Sequence, residues 1–185
     1  IAINDYDGIG VEREDPHMFV SGSGKLYLVW VDHRNSRSDI YFAYSADQGS
    51  SWSANVQVSD SEWGGLYPKV AIDAAGKIYV AWADGSGVYL ATSTDNGSTW
   101  SPVHMVLELD HALNDGASMQ GNMLQASDGA LMFVTDDEKD MFFSTGSLVV
   151  SVDGGLSWER RGHSSTTAGH QRIAGLHAAV VEIED

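Results

Sequence analysis

The sequence predicts an all-β protein made of repeated four-stranded antiparallel sheets, the blades of a β-propeller. One eight-residue string occurs three times. Ser45-Ala46-Asp47-Gln48-Gly49-Ser50-Ser51-Trp52, Ser93-Thr94-Asp95-Asn96-Gly97-Ser98-Thr99-Trp100 and Ser151-Val152-Asp153-Gly154-Gly155-Leu156-Ser157-Trp158 all read S-x-D-x-G-x-[ST]-W. The flanks repeat too: Lys25–Asp32 (KLYLVWVD) is nearly copied by Lys77–Asp84 (KIYVAWAD), and Pro16 to Pro68 and Trp30 to Trp82 are both separated by 52 residues. Finally, short runs rich in β-branched and aromatic residues alternate with Gly- and Asp-bearing turns. A period of about 50 residues holding four short strands fits radially arranged sheets.

Taken in order, residues 1–15 are polar and Gly-containing and read as a lead-in loop or short edge strand. The first blade (about 16–60) holds strands at His17–Val20, Lys25–Asp32, Asp39–Ser45 and Asn55–Ser59, with a turn at Ser21–Gly24 and a polar loop at His33–Ser38. The second (about 68–105) repeats this with strands at Pro68–Ile72, Lys77–Asp84 and Val88–Ser93. The third (about 120–161) is more diverged, with strands at Gly121–Ala126, Ala130–Thr135 and Ser147–Ser151. His177–Ile183 read as the first strand of a fourth blade (177–185). Residues 105–117 are the best candidate for a short loop helix, and 135–140 read as an acidic loop.

Composition narrows the function classes. With 43% apolar and 19% charged residues the chain is globular, and 10 basic against 26 acidic residues give a net charge of −16. That balance argues against nucleic acid or an anionic membrane as a partner. Without cysteine there is no disulfide, thiolate metal site or Cys nucleophile. No run is long and apolar enough to be a transmembrane helix, and no signal peptide is visible. The chain starts at Ile1 rather than Met, which fits an upstream segment lying outside it.

Each position of the octapeptide has a physical task. Its Asp folds back onto nearby backbone N–H groups, its Gly supplies turn angles, its Ser or Thr adds a local hydrogen bond, and its Trp buries a large ring. The string resembles the Asp-box, or bacterial neuraminidase repeat, and the modules resemble those of the sialidase superfamily from about Pro16 to Asp185. That resemblance implies a sialidase-like propeller, six-bladed when complete. Three blades and the start of a fourth do not close such a ring. The expectation is a fragment of a longer protein, or copies that assemble. The stop at a hairpin turn favours the fragment.

The topology separates two ends of each blade. The octapeptides join third to fourth strands and the Gly-Lys turns join first to second, so both lie at one end. The resemblance places the active face at the other. The box residues Ser45, Asp47, Gly49, Trp52, Ser93, Asp95, Gly97, Trp100, Ser151, Asp153, Gly155 and Trp158 are therefore expected to be structural. On the opposite face, Asp32, Arg34 and Arg37, with Asp39, line one loop, where an arginine fork would grip a carboxylate such as that of a sialic acid. A solvated loop with internal Arg–Asp pairs is the competing reading. Trp63 and Tyr67, near Glu62, are candidates to contact a sugar ring, and His111 and Asp115 precede the third blade.

The acidic run 135–140 offers oxygen ligands, so calcium is compatible although no cofactor is required and no metal site is expected. The last loop supplies His170, Arg172 and His177 as the catalytic candidates. The superfamily's Arg-Ile-Pro entry is matched only by Arg172-Ile173, followed by Ala174. Neither the arginine triad nor the Tyr/Glu nucleophile pair and Asp acid/base of sialidases is placed on any residue. The expected activity is exo-acting hydrolysis of a terminal sugar, with a glycan or glycoconjugate partner and an extracellular, periplasmic or cell-surface location. A noncatalytic carbohydrate-binding propeller and a protein-interaction propeller are the alternatives.

Overall fold

The computed structural model describes residues 3–5, 12–60, 64–84, 86–108, 117–119, 123–126, 128–140 and 143–165. These form three antiparallel sheets and no helix. The first sheet orders β1 (Arg13–Val20), β2 (Leu26–Asp32), β3 (Asp39–Ser45) and β4 (Val56–Gln57). The second orders β5 (Leu66–Ile72), β6 (Ile78–Ala83), β7 (Gly87–Ser93) and β8 (His104–Glu108). The third orders β10 (Leu124–Gln125), β11 (Leu131–Asp140), β12 (Phe143–Ser151) and β13 (Glu159–Ser165), and β9 (Ala117–Met119) also pairs with β11. This is the architecture of part of a β-propeller.

Side-chain alternation explains how the sheets stack. In β2, Tyr27, Val29 and Val31 turn toward the second sheet and join Val70, Ile78, Val80 and Trp82 in one core. Trp30 turns the other way and joins Tyr41 and Ala43, with Leu28, Trp52 and Ile3 packed against them. The second sheet is covered on both faces, so β6 (IYVAWA) is buried at every position and reads as a continuous apolar run. Its far face shares a core with Leu131, Phe133 and Val149 of the third sheet. The first strands lie innermost: β5 runs against β1 and β2, and β9 and β10 against β5. A hydrogen bond from the Val70 N–H to His17 Nδ1 (3.2 Å) ties β5 to β1.

Four expectations are corrected. Strand β1 begins at Arg13, so the last residues of the expected lead-in are strand, and Pro16 sits inside a bulge between Glu14 and His17. Proline is tolerated there because β1 is an edge strand, as β5 is around Pro68. Residues 105–108 of the expected helix belong to the outer strand β8, paired with β7, and residue 117 to β9; residues 109–116 lie outside the described set. The acidic run 135–140 is strand rather than loop. Its register sets Asp136 opposite Gly146, Asp137 opposite Thr145 and Glu138 opposite Ser144. Of the first strand expected over 121–126, residues 124–125 form β10 and residues 121–122 lie outside the described set, while a further short strand, β9, precedes it and also pairs with β11. The expected fourth-blade strand lies outside the described residues.

The octapeptide turns hold neighbouring sheets together. Gly97, at φ 80°, lies so close to Phe42 of the first sheet that an added Cβ would meet its ring at 2.1 Å. Trp100 meets the same ring edge-on at 5.2 Å. Gly155 likewise sits on Leu90 and Tyr79 of the second sheet, its carbonyl accepts from His104 Nε2 (3.2 Å), and Lys77 Nζ reaches the Gly154 carbonyl (3.3 Å). The second and third turns therefore each pack on the sheet that precedes their own.

Candidate functional site

The two ends of the sheets differ in chemistry. At the octapeptide end the Ser, Asp and Ser/Thr side chains satisfy one another, while the buried Trp100 Nε1 has no partner among the described residues. The buried Ser45 hydroxyl accepts from the Gly49 N–H (2.7 Å) and donates to Asp47 Oδ1 (2.7 Å), and Asp47 also accepts from the Ser51 N–H (2.8 Å) and hydroxyl (2.6 Å). Ser93, Asp95 and Thr99 repeat this pattern, as do Ser151, Asp153 and Ser157. The hydroxyl of Ser51, Thr99 or Ser157, followed by the N–H of the same residue, holds each Asp down to a pKa of about 2. Carboxylates so engaged leave little for a ligand.

The opposite end holds the loop candidates. Asp32 is fully buried at the end of β2. Burial alone would raise its pKa. Arg34, Trp30 Nε1 (3.0 Å), the Arg34 N–H (2.9 Å) and Asn4 (2.9 Å) outweigh that and hold it at about 2. Arg34 Nη2 reaches Asp32 (2.9 Å), Asn4 (3.0 Å) and Asn55 (3.1 Å), Nη1 reaches Asp5 (3.0 Å), and the guanidinium lies 4.1 Å above the Tyr41 ring. Arg37 is more exposed and faces buried Asp39 at 3.4 Å. The two arginines thus stand on separate carboxylates and form no common fork.

The second sheet carries the same corner with different contents. By the 52-residue spacing Trp82 stands where Trp30 does, Asp84 where Asp32 does, and Ser86 where Arg34 does. Asp84 Oδ1 accepts from the Ser86 N–H (2.6 Å), the Ser86 hydroxyl (2.7 Å) and the Gly87 N–H (3.1 Å). Among the described residues its Oδ2 and the Trp82 Nε1 have no hydrogen-bond partner, although both are buried. In the first sheet the equivalent Asp32 Oδ2 accepts from both Arg34 and Trp30 Nε1; here Ser86 supplies no guanidinium and the Trp–Asp bond is not made.

The inner strands add a third feature. Asp15 (φ 50°) and Tyr67 (φ 54°) each precede the bulge proline and are held in the left-handed region. Bulky residues rarely adopt it, and the cost is roughly 1 kcal/mol or more. Both bulges lie at the loop end of β1 and β5, and Tyr67 is 38% exposed. Nearby Lys69 is partly buried; desolvation lowers its pKa, and the charge of Asp15 partly offsets this. His33 Nε2 meets Glu14 at 2.8 Å. Asp15, Lys69 and Asp84 were not singled out from sequence. The readable signal was the Pro16/Pro68 equivalence, which marks paired distortions on neighbouring strands.

Trp63, Glu62, His111, Asp115, His170, Arg172 and His177 lie outside the described residues. Among the described residues, no group of three or more His, Asp or Glu converges on a point. No described helix is long and apolar enough to cross a membrane.

No protein-family model and no curated protein matches the chain. Solved structures do. A Dyadobacter fermentans protein of unknown function aligns at TM-score 0.66 and 16% identity, over 84% of this chain and 55% of its own. The Hadza microbial sialidase Hz136 aligns at 0.65 and 20%, over 82% and 37%. A Penicillium chrysogenum α-L-arabinanase complexed with arabinobiose aligns at 0.63 and 18%, over 85% and 50%. The chain spans about half or less of the length of these structures, and what it shares with them is the fold: three consecutive blades of a β-propeller.

Proposed function

We propose that the chain is part of a glycan-acting propeller of the glycoside hydrolase kind, with sugar handled at the loop end. The observation that carries this reading is the contrast between the ends. The octapeptide carboxylates are held within their own turns, while the loop end collects, on adjacent strands, Asp15, Tyr67, Lys69 and Asp84, whose Oδ2 has no partner among the described residues. The neighbouring sialidase and arabinanase folds support the class of substrate. Tyr67 offers an exposed ring for a sugar face, and Trp63 is assigned to the same role. Arg37 is the more accessible of the two loop arginines for a carboxylate-bearing sugar.

The finer reading is exo-hydrolysis of a terminal sugar, sialic acid among the candidates, with Arg172, His170 and His177 on the reacting side. Such chemistry would need two flanking carboxyl groups or, for a sialoside, a Tyr nucleophile in place of one of them. The octapeptides are assigned to architecture, and an exported or surface location suits a glycan-acting protein. A binding-only module is the second reading. It is favoured by Asp32 and Asp39, whose carboxylates are already held by arginine and asparagine partners.

Turnover of a fluorogenic glycoside panel, sialosides and α-L-arabinofuranosides first, with calorimetric binding of the free sugars, separates the readings. Hydrolysis supports the enzyme, binding without hydrolysis the module, and neither outcome would sink both.

A further inference from the structure

The three octapeptide turns share a backbone and differ at the tip. The tip is Gln48-Gly49 in the first, Asn96-Gly97 in the second and Gly154-Gly155 in the third. Both residues of each pair have positive φ: 58° and 89°, 58° and 80°, 71° and 89°. Asparagine tolerates this region better than most side chains. It also brings a reactive group. Its side-chain carbonyl carbon, Cγ, is placed to close a five-membered ring with the backbone nitrogen of the next residue. Glutamine is one carbon too long for that ring, and glycine has no side chain. Asn96-Gly97 is the only Asn-Gly pair in the sequence. Asn96 is exposed, its side-chain amide makes no hydrogen bond among the described residues, and Gly97 has no Cβ to screen its nitrogen. These are the requirements for intramolecular deamidation.

The fold holds the reaction off. The attacking nitrogen is that of Gly97, and its N–H donates to the buried Ser93 Oγ (2.9 Å). Gly97 is also fixed against the Phe42 ring of the first sheet. Ring closure needs the nitrogen to lose its proton and swing toward Asn96 Cγ. That movement breaks the bond to Ser93 and lifts Gly97 from Phe42. The reaction therefore starts from an opened turn, and its rate follows the population of that opened form.

We propose that Asn96 is a self-modification site that records opening of the contact between the first two sheets. The Gly97 nitrogen attacks Asn96 Cγ. The bond from Cγ to the side-chain nitrogen breaks, and ammonia leaves with the proton from Gly97. Water then opens the resulting succinimide at either carbonyl. One product is aspartate at position 96. The other is isoaspartate, whose main chain runs through the former side chain and is one carbon longer before Gly97. Both add a negative charge beside Asp95 to a chain already at −16. The aspartyl turn closes again as before. The longer isoaspartyl turn does not return Gly97 to Ser93 and Phe42 together, so the junction of the two sheets is left weaker.

The test incubates the intact chain at mildly alkaline pH, folded in buffer and unfolded in urea. Deamidation at Asn96 is followed by peptide mass spectrometry, and isoaspartate is counted by enzymatic methylation. The rate in buffer should be about tenfold or more below that in urea. Phe42→Leu removes the ring that Gly97 sits against. It should raise the rate in buffer several-fold and leave the rate in urea unchanged. Equal rates in buffer and urea overturn the proposal, and so does a Phe42→Leu rate no higher than the parent's. If that variant does not fold, the parent chain in sub-denaturing urea replaces it. A rate that climbs before the circular dichroism signal falls supports the proposal, and one that stays flat until global unfolding overturns it. Asn96→Asp supplies the aspartyl product directly. Aged, isoaspartate-rich chain should melt below that variant; equal melting temperatures overturn the weakened junction.

Discussion

Asp95 can be replaced without touching the loop end, which isolates what the octapeptide contributes. It accepts from the Thr99 hydroxyl and N–H and the Ser93 hydroxyl, and these hold its pKa at about 2 against 3.8 for a free carboxyl. A depressed pKa stabilises the folded state above the unfolded value and loses that effect as pH falls through the folded one. Asp47 and Asp153 share the shift. Melting temperature should therefore hold down to about pH 4 and fall steeply toward pH 2. Asp95→Asn should lower Tm at neutral pH and flatten that acid slope, and thermal melts across pH 2–6 check both. Gly97→Ala should be worse than Gly129→Ala. Both glycines have positive φ, but only at Gly97 does the new methyl meet an aromatic ring. Urea midpoints of the two variants compare them directly.

At the scale of the element, the innermost strands carry the strain. Tyr67→Gly removes a side chain from the left-handed region, so the fold should tolerate it, with Tm unchanged or slightly raised. Sugar affinity should fall several-fold under the proposed role, and calorimetry on the same sample separates the two effects. His17 joins β1 to β5 by accepting the Val70 N–H on Nδ1, which needs that nitrogen unprotonated. His17→Ala should cost about 1–2 kcal/mol by leaving a partly buried N–H unmatched, measured by denaturant unfolding.

The elements were legible where pattern and burial agree. KLYLVWVD and KIYVAWAD announced β2 and β6, and the turns gave the ends of β3, β7 and β12. What escaped were places where pairing overrides local composition. The acidic run 135–140 looks like loop, yet β12 returns along it and pairs with its backbone. Residues 104–108 gain their strand state from the open edge of β7. The candidate site was less legible. Arg34 and Arg37 lie three residues apart in a polar loop, but only the fold shows that each already has its own aspartate. That Ser86 stands at the Arg34 position beside Asp84 is visible only once the repeats are superposed.

For the whole molecule, charge and stacking set the expectations. A net charge of −16 on 185 residues opposes compaction. Raising sodium chloride from about 10 to 150 mM shortens the screening length from about 30 to 8 Å. That should raise Tm by a few degrees, a shift readable by scanning calorimetry. The sheets are joined in series, the second sharing one core with the first and another with the third. Loss of the middle sheet would leave the outer two without a common core.

The seating of the second and third turns on the preceding sheets gives the array a direction in time. Gly97 finds its place only when Phe42 is fixed, and Gly155 only when Leu90 is. A chain leaving the ribosome amino end first presents these receiving surfaces in the order they are needed. Each new sheet can then lock onto a finished one, so assembly should run with translation, and a circular permutant that makes the third sheet first should give less folded protein during synthesis than the natural order.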